Sequence, residues 1–494
     1  MEITDFKQIH INSGNETLVP TSADVGYDSS ETYIYKTKFS IKNISIALAN
    51  SLRRSFSTLV PTVTFDNESI NIIENTTPLH NEFLVHRIEL VPIFTDNTLA
   101  SSYCKIKTTF DEESLQRKWD FLNSDKIPQF TINTKLPKTI LTENISMNNI
   151  KDITTDSFII KDMDGNILSN SHFFKKDVYT GDPILINCIK TKVYEEGHRN
   201  DLHLTAVPVV SMGKIHTRND PTGTVEYQFK LDTDENIDAV WVQKLEYLIN
   251  ERKINGLTSY TPKEITQLKK SFDLLDKYRV FETDDDGNAN HFEFSIESIG
   301  FMSSNRIIYD AVKHLEMCFD DLLKNISFKK HPVEDNKYIL DKSFSNKIAI
   351  QQLGSSNINV GCSIIIKNEN HTVGNLIQDK LRKKYLAKSN SVSGKYLKLA
   401  NYRMDHPTIE EIELILSLHK KVTNTVMDGL LNNYISNKFG DGSKIHVNKA
   451  NRHIYFSVYL LVEALKDIKK DISKFLELFS AKSNITETSY EIIS

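Results

Sequence analysis

The chain has 494 residues, room for about three domains. Its 39% hydrophobic and 25% charged residues leave enough apolar side chain to fill real cores. With 60 Lys and Arg against 65 Asp and Glu, the net charge of −5 argues against a chain that grips nucleic acid over a broad surface.

Residues 1–29 are polar and read as a frayed tail. The alternation over Thr32–Ile41 predicts a strand. Asn43 would then cap a helix whose apolar face is Ile46, Ala49, Leu52, Phe56 and Leu59, with Pro61 as its stop. Arg53 and Arg54 fall mostly off that face. Val63–Ile73 reads as extended. A second helix is expected with Thr77 as cap and Pro78 at its first position. Leu79, Phe83, His86 and Leu90 form its stripe, and Pro92 ends it.

From 95 to 180 the pattern weakens. Pro183–Ile189 and Leu202–Val210 read as buried strands, and 231–286 as charged helix. His291–Ile299 is a strand by alternation. A long helix should follow from Ser304, lined by Ile308, Ala311, Leu315, Cys318 and Leu322, a stripe that wants a partner helix. The polar stretch 331–358 reads as a flexible linker, about 30 residues with a reach of roughly 30 Å.

A second unit begins with a strand over Cys362–Lys367 and a helix from Thr372, with Val373, Leu376, Ile377 and Leu381 inward. Ile412–Leu416 is another strand. A closing helix from about Leu461 carries Leu465, Ile468, Ile472, Phe475 and Phe479, and 486–494 forms a tail. First and last parts thus share a plan: strand, short helix, strands, long amphipathic helix.

Four scattered cysteines, Cys104, Cys188, Cys318 and Cys362, offer no paired zinc spacing, no C-x-x-C pair and no disulfide framework. No metal and no cofactor are expected. Asp284-Asp285-Asp286-Gly287 and Asp162-Met163-Asp164-Gly165 lack the later ligands of a calcium loop and read as solvated turns. No leader opens the sequence and no apolar run reaches the roughly 18 residues of a membrane span. The expectation is a soluble intracellular protein with no membrane contact.

Asn50-Ser51-Leu52-Arg53-Arg54, running on to Pro61-Thr62, and the block from Glu74 to Ile88 resemble the larger α-like subunit of multisubunit DNA-directed RNA polymerases. That is the third-largest subunit of eukaryotic RNA polymerase II and its D-like counterpart in archaea. Gly213-Lys214-Ile215-His216-Thr217 with Pro221, and Phe292 to Gly300, resemble two further blocks of the same family. The C-terminal unit resembles the smaller α-like partner, the eleventh subunit in eukaryotes and its L-like counterpart in archaea. Its carriers are Asn370-His371-Thr372-Val373-Gly374-Asn375-Leu376-Ile377 and Tyr402-Arg403-Met404-Asp405-His406-Pro407, with an insertion over 385–400. The resemblance spans roughly 40–330 and 360–480.

The resemblance implies an α+β protein with two α-like dimerisation domains in one chain. Residues 30–60 and 225–330 would form the first, interrupted by an inserted, mainly β domain over 61–224. Residues 359–485 would form the second. The long helices would pack across a pseudo-twofold, an internal pseudo-dimer rather than a homodimer. The implied function is a non-catalytic assembly platform for the two largest polymerase subunits, with small zinc-bearing subunits as further partners and DNA and RNA met only through the holoenzyme. The residues agree: no phosphate loop, zincin motif or nucleophile elbow is present. Relatives that carry a metal-binding cysteine cluster in the inserted domain differ from this chain. A fusion of the two partners is similar to what large cytoplasmic DNA viruses encode, which implies the virion and the viral factory in host cytoplasm; otherwise the nucleus.

Arg53, Arg54 and Arg87 are the expected contacts to the large subunits, since Arg forks suit carboxylate and carbonyl partners; a solvated helix face is the alternative. His86 is expected as a packed core histidine. Asn50, His371, Thr372, Gly374, Asn375, His406 and Pro407 are expected to serve packing, with Thr372 as a helix cap. The rival readings are an α-like scaffold no longer bound to a polymerase, and a hydrolase, which would need a pocket of converging groups.

Overall fold

The computed structural model describes residues 1–12, 15–19, 34–94, 106–107, 120–121, 129–133, 150–161, 165–177, 180–190, 202–300, 302–326, 328–330, 337–340, 347–352, 361–386, 395–446, 451–483 and 485. In chain order the helices of eight or more residues described are α1 (Ile46–Thr58), α2 (Asn81–Glu89), α3 (Asp234–Ile254), α4 (Pro262–Leu275), α5 (Ser304–Asn325), α6 (His371–Tyr385), α7 (Asn424–Phe439) and α8 (Arg452–Ser483).

Two antiparallel sheets organise the main core. The first has strand order Thr222–Phe229, His291–Ser298, Ile34–Lys42, Glu2–Asn12, Asn15–Val19. The second has order Leu397–Arg403, Glu411–Leu418, Gly361–Lys367, Ile348–Gln352. Written this way the first four strands of each match in order, and Asn15–Val19 is an addition to the first sheet. In each, a strand leads into a short helix (α1 or α6), two strands follow, and a long helix (α5 or α8) closes the plan.

The strand-to-helix corner is made identically in both. Asn43 and Asn368 stand one residue past their strands with φ of 63° and 61°, a left-handed turn that Asn tolerates better than other side-chain-bearing residues. Two residues on, Ser45 caps α1 by accepting from Leu48 N, and Asn370 caps α6 by accepting from Thr372 N. The expected caps, Asn43 and Thr372, are thus corrected to Ser45 and Asn370.

One core joins both sheets. Phe39 stacks on Phe294 at 5.3 Å within the first sheet, and meets Phe475 and Phe479 of α8 at 6.1 and 5.9 Å. The 32 residues of α8 make a rod of about 48 Å, long enough to cross from one sheet to the other. It begins at Arg452 rather than near Leu461.

The chain between α1 and Thr222 carries a sheet of its own, ordered Ile167–Leu168, Ile159–Lys161, Gln129–Asn133, Leu202–Ala206, Ile70–Asn75. A separate apolar cluster that includes Phe65, Leu84, Ile88, Phe158 and Leu204 fills it. The run expected as one strand over Leu202–Val210 divides at Val207-Pro208: Val209–Met212 pairs with Pro61–Thr64 in a different sheet. Proline cannot donate to a ladder, so the run breaks there. Between Thr222–Phe229 and His291–Ser298 the chain makes a helical hairpin, α3 and α4, closed by Ile237, Trp241 and Phe272.

Two segments read as unstructured are built into the sheets. Glu2–Asn12, expected as a frayed tail, is an 11-residue strand with Ile3 and Ile9 buried. A bulge at Asp5, φ 51°, breaks its period of two. Within the expected linker, Ile348–Gln352 pairs with Gly361–Lys367, and Lys337–Leu340 pairs with Phe328–Lys330; residues 331–336, 341–346 and 353–360 lie outside the described residues. These strands are short, but Leu340 and Ile348 are buried. Leu397–Arg403 likewise begins within the expected insertion, whose residues 387–394 lie outside the described residues.

α2 starts at Asn81 with His80 as cap, not at Pro78. Thr77 instead bonds Asn75 and Asn187. Its inward face is Leu84, Val85 and Ile88, whereas Phe83 and Leu90 are each 66% exposed. His86 is exposed, not a core histidine. Apolar residues lie on both sides of this helix, and packing on the inserted sheet selects the one the periodicity did not.

Candidate assembly surface

Sequence blocks far apart in the chain meet where α1 packs on α6. Ser51 Oγ donates to Ala47 O at 2.8 Å and lies 3.3 Å from Thr372 O. Asn50 Oδ1 accepts from Arg53 Nε and Nη2 at 3.3 and 3.2 Å, which orients that half-buried guanidinium. Gly374 lies under the Tyr402 ring, where an added Cβ would stand 2.6 Å from Cδ2. Tyr402 N donates to Gln378 Oε1 at 3.0 Å, and its hydroxyl stands 3.3 Å from His371 Nδ1. Burial pushes the Tyr402 phenol up, while the Arg54 charge nearby pulls against that shift. Thus Asn50, Arg53, Arg54, His371, Thr372, Gly374 and Tyr402 form one neighbourhood. Asn375 is half-buried on the same helix, and His406 and Pro407 lie on the exposed loop beyond Tyr402, with His406 Nδ1 2.7 Å from Thr408 Oγ1.

The Gly213 block closes the site from a third direction. A Cβ on Gly213 would stand 2.1 Å from Ser57 O, so the loop lies directly on the end of α1. Lys214 N donates to Thr58 O at 2.8 Å. Its ammonium reaches Glu410 at 3.0 Å and Asn368 O at 3.5 Å. Lys214 therefore ties α1, the corner before α6 and the loop after Tyr402 together. Arg218 in the same block bridges Asp66 and Glu89 at 2.8 and 3.0 Å.

Arg87 sits elsewhere. On α2 its Nη2 donates to Leu185 O at 2.9 Å, fixing the helix to the strand Leu185–Lys190.

The long helices supply the rest. Ile308, Ala311, Leu315 and Leu322 of α5, and Leu465, Ile468, Ile472 and Phe475 of α8, are all buried where the two helices pack together. Polar ties flank the apolar seam. Ser473 donates to the Glu316 carboxylate, and Lys469 pairs with Asp320 at 2.5 Å. Lys347, between Asp321 at 2.6 Å and Glu369 at 3.2 Å, links the end of α5 to the corner before α6. Burial pushes the Glu369 carboxyl up, and the Lys347 and Lys214 charges oppose it. Sequence reasoning missed Lys347 and Glu369 because each stands in a polar run with no periodicity to mark it.

Among the described residues no group of three or more His, Cys, Asp or Glu could hold a metal ion, and no helix is long and apolar enough to cross a membrane. Cys188 is exposed, Cys318 half-buried and Cys362 buried, all free; Cys104 lies outside the described residues. Asp284 accepts from the backbone of Asp286 and Asn288 and forms a turn; Asp162, Met163 and Asp164 lie outside the described residues.

Each half of the main core is thus a sheet backed by one short and one long helix, with the two long helices packed on each other. The chain belongs to the family of the RNA polymerase Rpb3/Rpb11 dimerisation domain, which matches residues 38–319. It is similar to subunit Rpo3 of the DNA-directed RNA polymerase of Methanopyrus kandleri, 23% identical over 61% of this chain and 94% of that one. It is also similar to subunit 3 of DNA-directed RNA polymerases II, IV and V of Arabidopsis thaliana, 22% identical over 57% of this chain and 85% of that one. A shorter match to RNA polymerase II subunit RPB3 of Schizosaccharomyces pombe is 42% identical over 59 residues, 12% of this chain and 19% of that one. The family match ends inside α5, so the second sheet with α6, α7 and α8 lies beyond it.

Proposed function

We propose that the chain is a non-catalytic assembly platform of a DNA-dependent RNA polymerase. Two α-like modules in one polypeptide pair through α5 and α8 and together hold the two largest subunits. The observation that carries this reading is the meeting of α1, the Gly213 block, α6 and the loop after Tyr402 at one surface. Four family-like blocks, spread along the chain from Asn50 to Pro407, meet there beside Arg53 and Arg54. Those two forks supply directional donors for carboxylates and backbone carbonyls of a large subunit, and Arg87 on α2 supplies a third contact. Joining the modules makes their pairing intramolecular, with an effective concentration on the order of millimolar. That joining also supports a viral setting, in virion and host cytoplasm, over a nuclear one.

The test is affinity purification of the tagged full chain from its native cells, with identification of what co-purifies. The expected eluate contains two much larger chains and synthesises RNA from a DNA template. Arg53→Ala with Arg54→Ala should lose those chains while the protein stays folded. A lone chain that survives gentle low-salt handling would overturn the reading and leave an α-like scaffold free of polymerase.

A further inference from the structure

Apolar residues lie on two faces of α3, and among the described residues only one of them is packed within the molecule. Ile237 and Trp241 close the hairpin against Phe272 of α4. On another face Val240, Tyr247 and Ile254 recur every seven residues and are 37%, 66% and 84% exposed. Asn236, Gln243 and Asn250 interleave with them at the same period, also exposed. In a helix otherwise rich in charge, this seam carries none. Its spacing is that of the a and d positions of a coiled coil. Leu257, 59% exposed, extends it at the hairpin tip.

The flanks of the seam say what fits it. Lys244 and Glu251 lie along one side, Glu246 and Lys253 along the other. We propose that a second copy of this chain docks on the seam, its α3 antiparallel to the first. In that register Tyr247 faces the partner's Asn250, Gln243 faces the partner's Ile254, and Val240 meets the partner's Leu257. Lys244 then lies beside the partner's Glu251, and Glu246 beside the partner's Lys253. The twofold axis repeats each pair; Lys244 already pairs with Asp276 within the hairpin, so the two Glu246–Lys253 contacts carry the attraction. A parallel pair would instead set Glu246 against the partner's Glu251, and like charges there repel. The antiparallel register also holds the two molecular bodies at opposite ends of the paired helices. The contact leaves the α5–α8 pairing untouched and joins two such modules. With three amides in the seam the dimer is weak, with a dissociation constant on the order of 10 µM.

Sedimentation equilibrium of the purified full chain tests this. The expected result is a monomer–dimer equilibrium. Glu246→Lys alone and Lys253→Glu alone should each weaken it several-fold, and the two together should restore it. Tyr247→Glu should abolish it. All three positions are exposed, so the melting temperature of the monomer should not move. A chain that stays monomeric to 10-fold above that concentration overturns the proposal. So does a dimer indifferent to the charge swaps, or a seam that becomes protected only when another subunit binds.

Discussion

Asn43 and Asn368 hold the same left-handed backbone, φ 63° and 61°, at the same step of two sheets whose first four strands share one order. Each lets a strand turn sharply into a capped helix. Five residues past the caps Ser45 and Asn370 stand Asn50 and Asn375, so the two corners also bring like residues to like places.

A β-branched side chain at either corner should be costly. Asn368→Val is expected to lose about 1–2 kcal/mol, because its two γ-methyls crowd the backbone in the left-handed region that Asn tolerates. Asn368→Gly should be nearly neutral. Chemical denaturation reads both, and equal losses for Val and Gly would mean that the Asn side chain, not the turn, matters.

Gly374 predicts a second effect. Gly374→Val pushes a side chain into the Tyr402 ring, and overpacking of this kind costs about 1–3 kcal/mol. Tyr402→Ala should make the same substitution tolerable. A loss that persists in the double variant would place the cause in the α6 backbone instead.

The α5–α8 seam should behave as a core. Leu315→Ala and Ile472→Ala, both at fully buried positions, are each expected to cost about 2–5 kcal/mol. Measured together they should fall short of additivity if the two side chains share one cavity. Full additivity would argue that the two residues pack against separate neighbours.

His314, buried on α5, gives a pH dependence. Burial holds its imidazole down at about 4, against about 6.5 in an unfolded chain. The unfolded state therefore binds the proton first as pH falls. Stability should be unaffected above pH 7 and should fall by about 1.4 kcal/mol per unit as pH drops from 6.5 towards 4. His314→Gln should flatten that slope in thermal melts taken at several pH values. An unchanged slope would assign the acid sensitivity to other groups.

The sequence made some of this legible and hid the rest for identifiable reasons. α5 and the C-terminal two-thirds of α8 show single apolar stripes, and those stripes are buried. The motif blocks named the residues that meet at Tyr402, but not that Lys214 would join them, since its partners Glu410 and Asn368 are distant in sequence. The first strand is hidden because polar Asp5, at the bulge, and Lys7 stand between Ile3 and Ile9 at the in-phase positions. α2 is ambiguous because Phe83 and Leu90 make as good a stripe as Leu84 and Ile88. α7 leaves no clear signal; its buried residues, Met427, Leu431, Tyr434 and Ile435, are few and lie among polar neighbours.

Phe6, near the start of the chain, meets Phe479, near its end, at 5.8 Å. During synthesis the part of the first sheet that α8 covers must therefore wait, after α1 and α5 have been made, until Phe475 and Phe479 have left the ribosome. Such long-range closure is slow and leaves surfaces open to aggregation. Premature termination before the last turns of α8 would release a chain whose first sheet lacks its α8 cover, so quality control of this protein turns on a contact made late rather than on the pairing of the strands themselves.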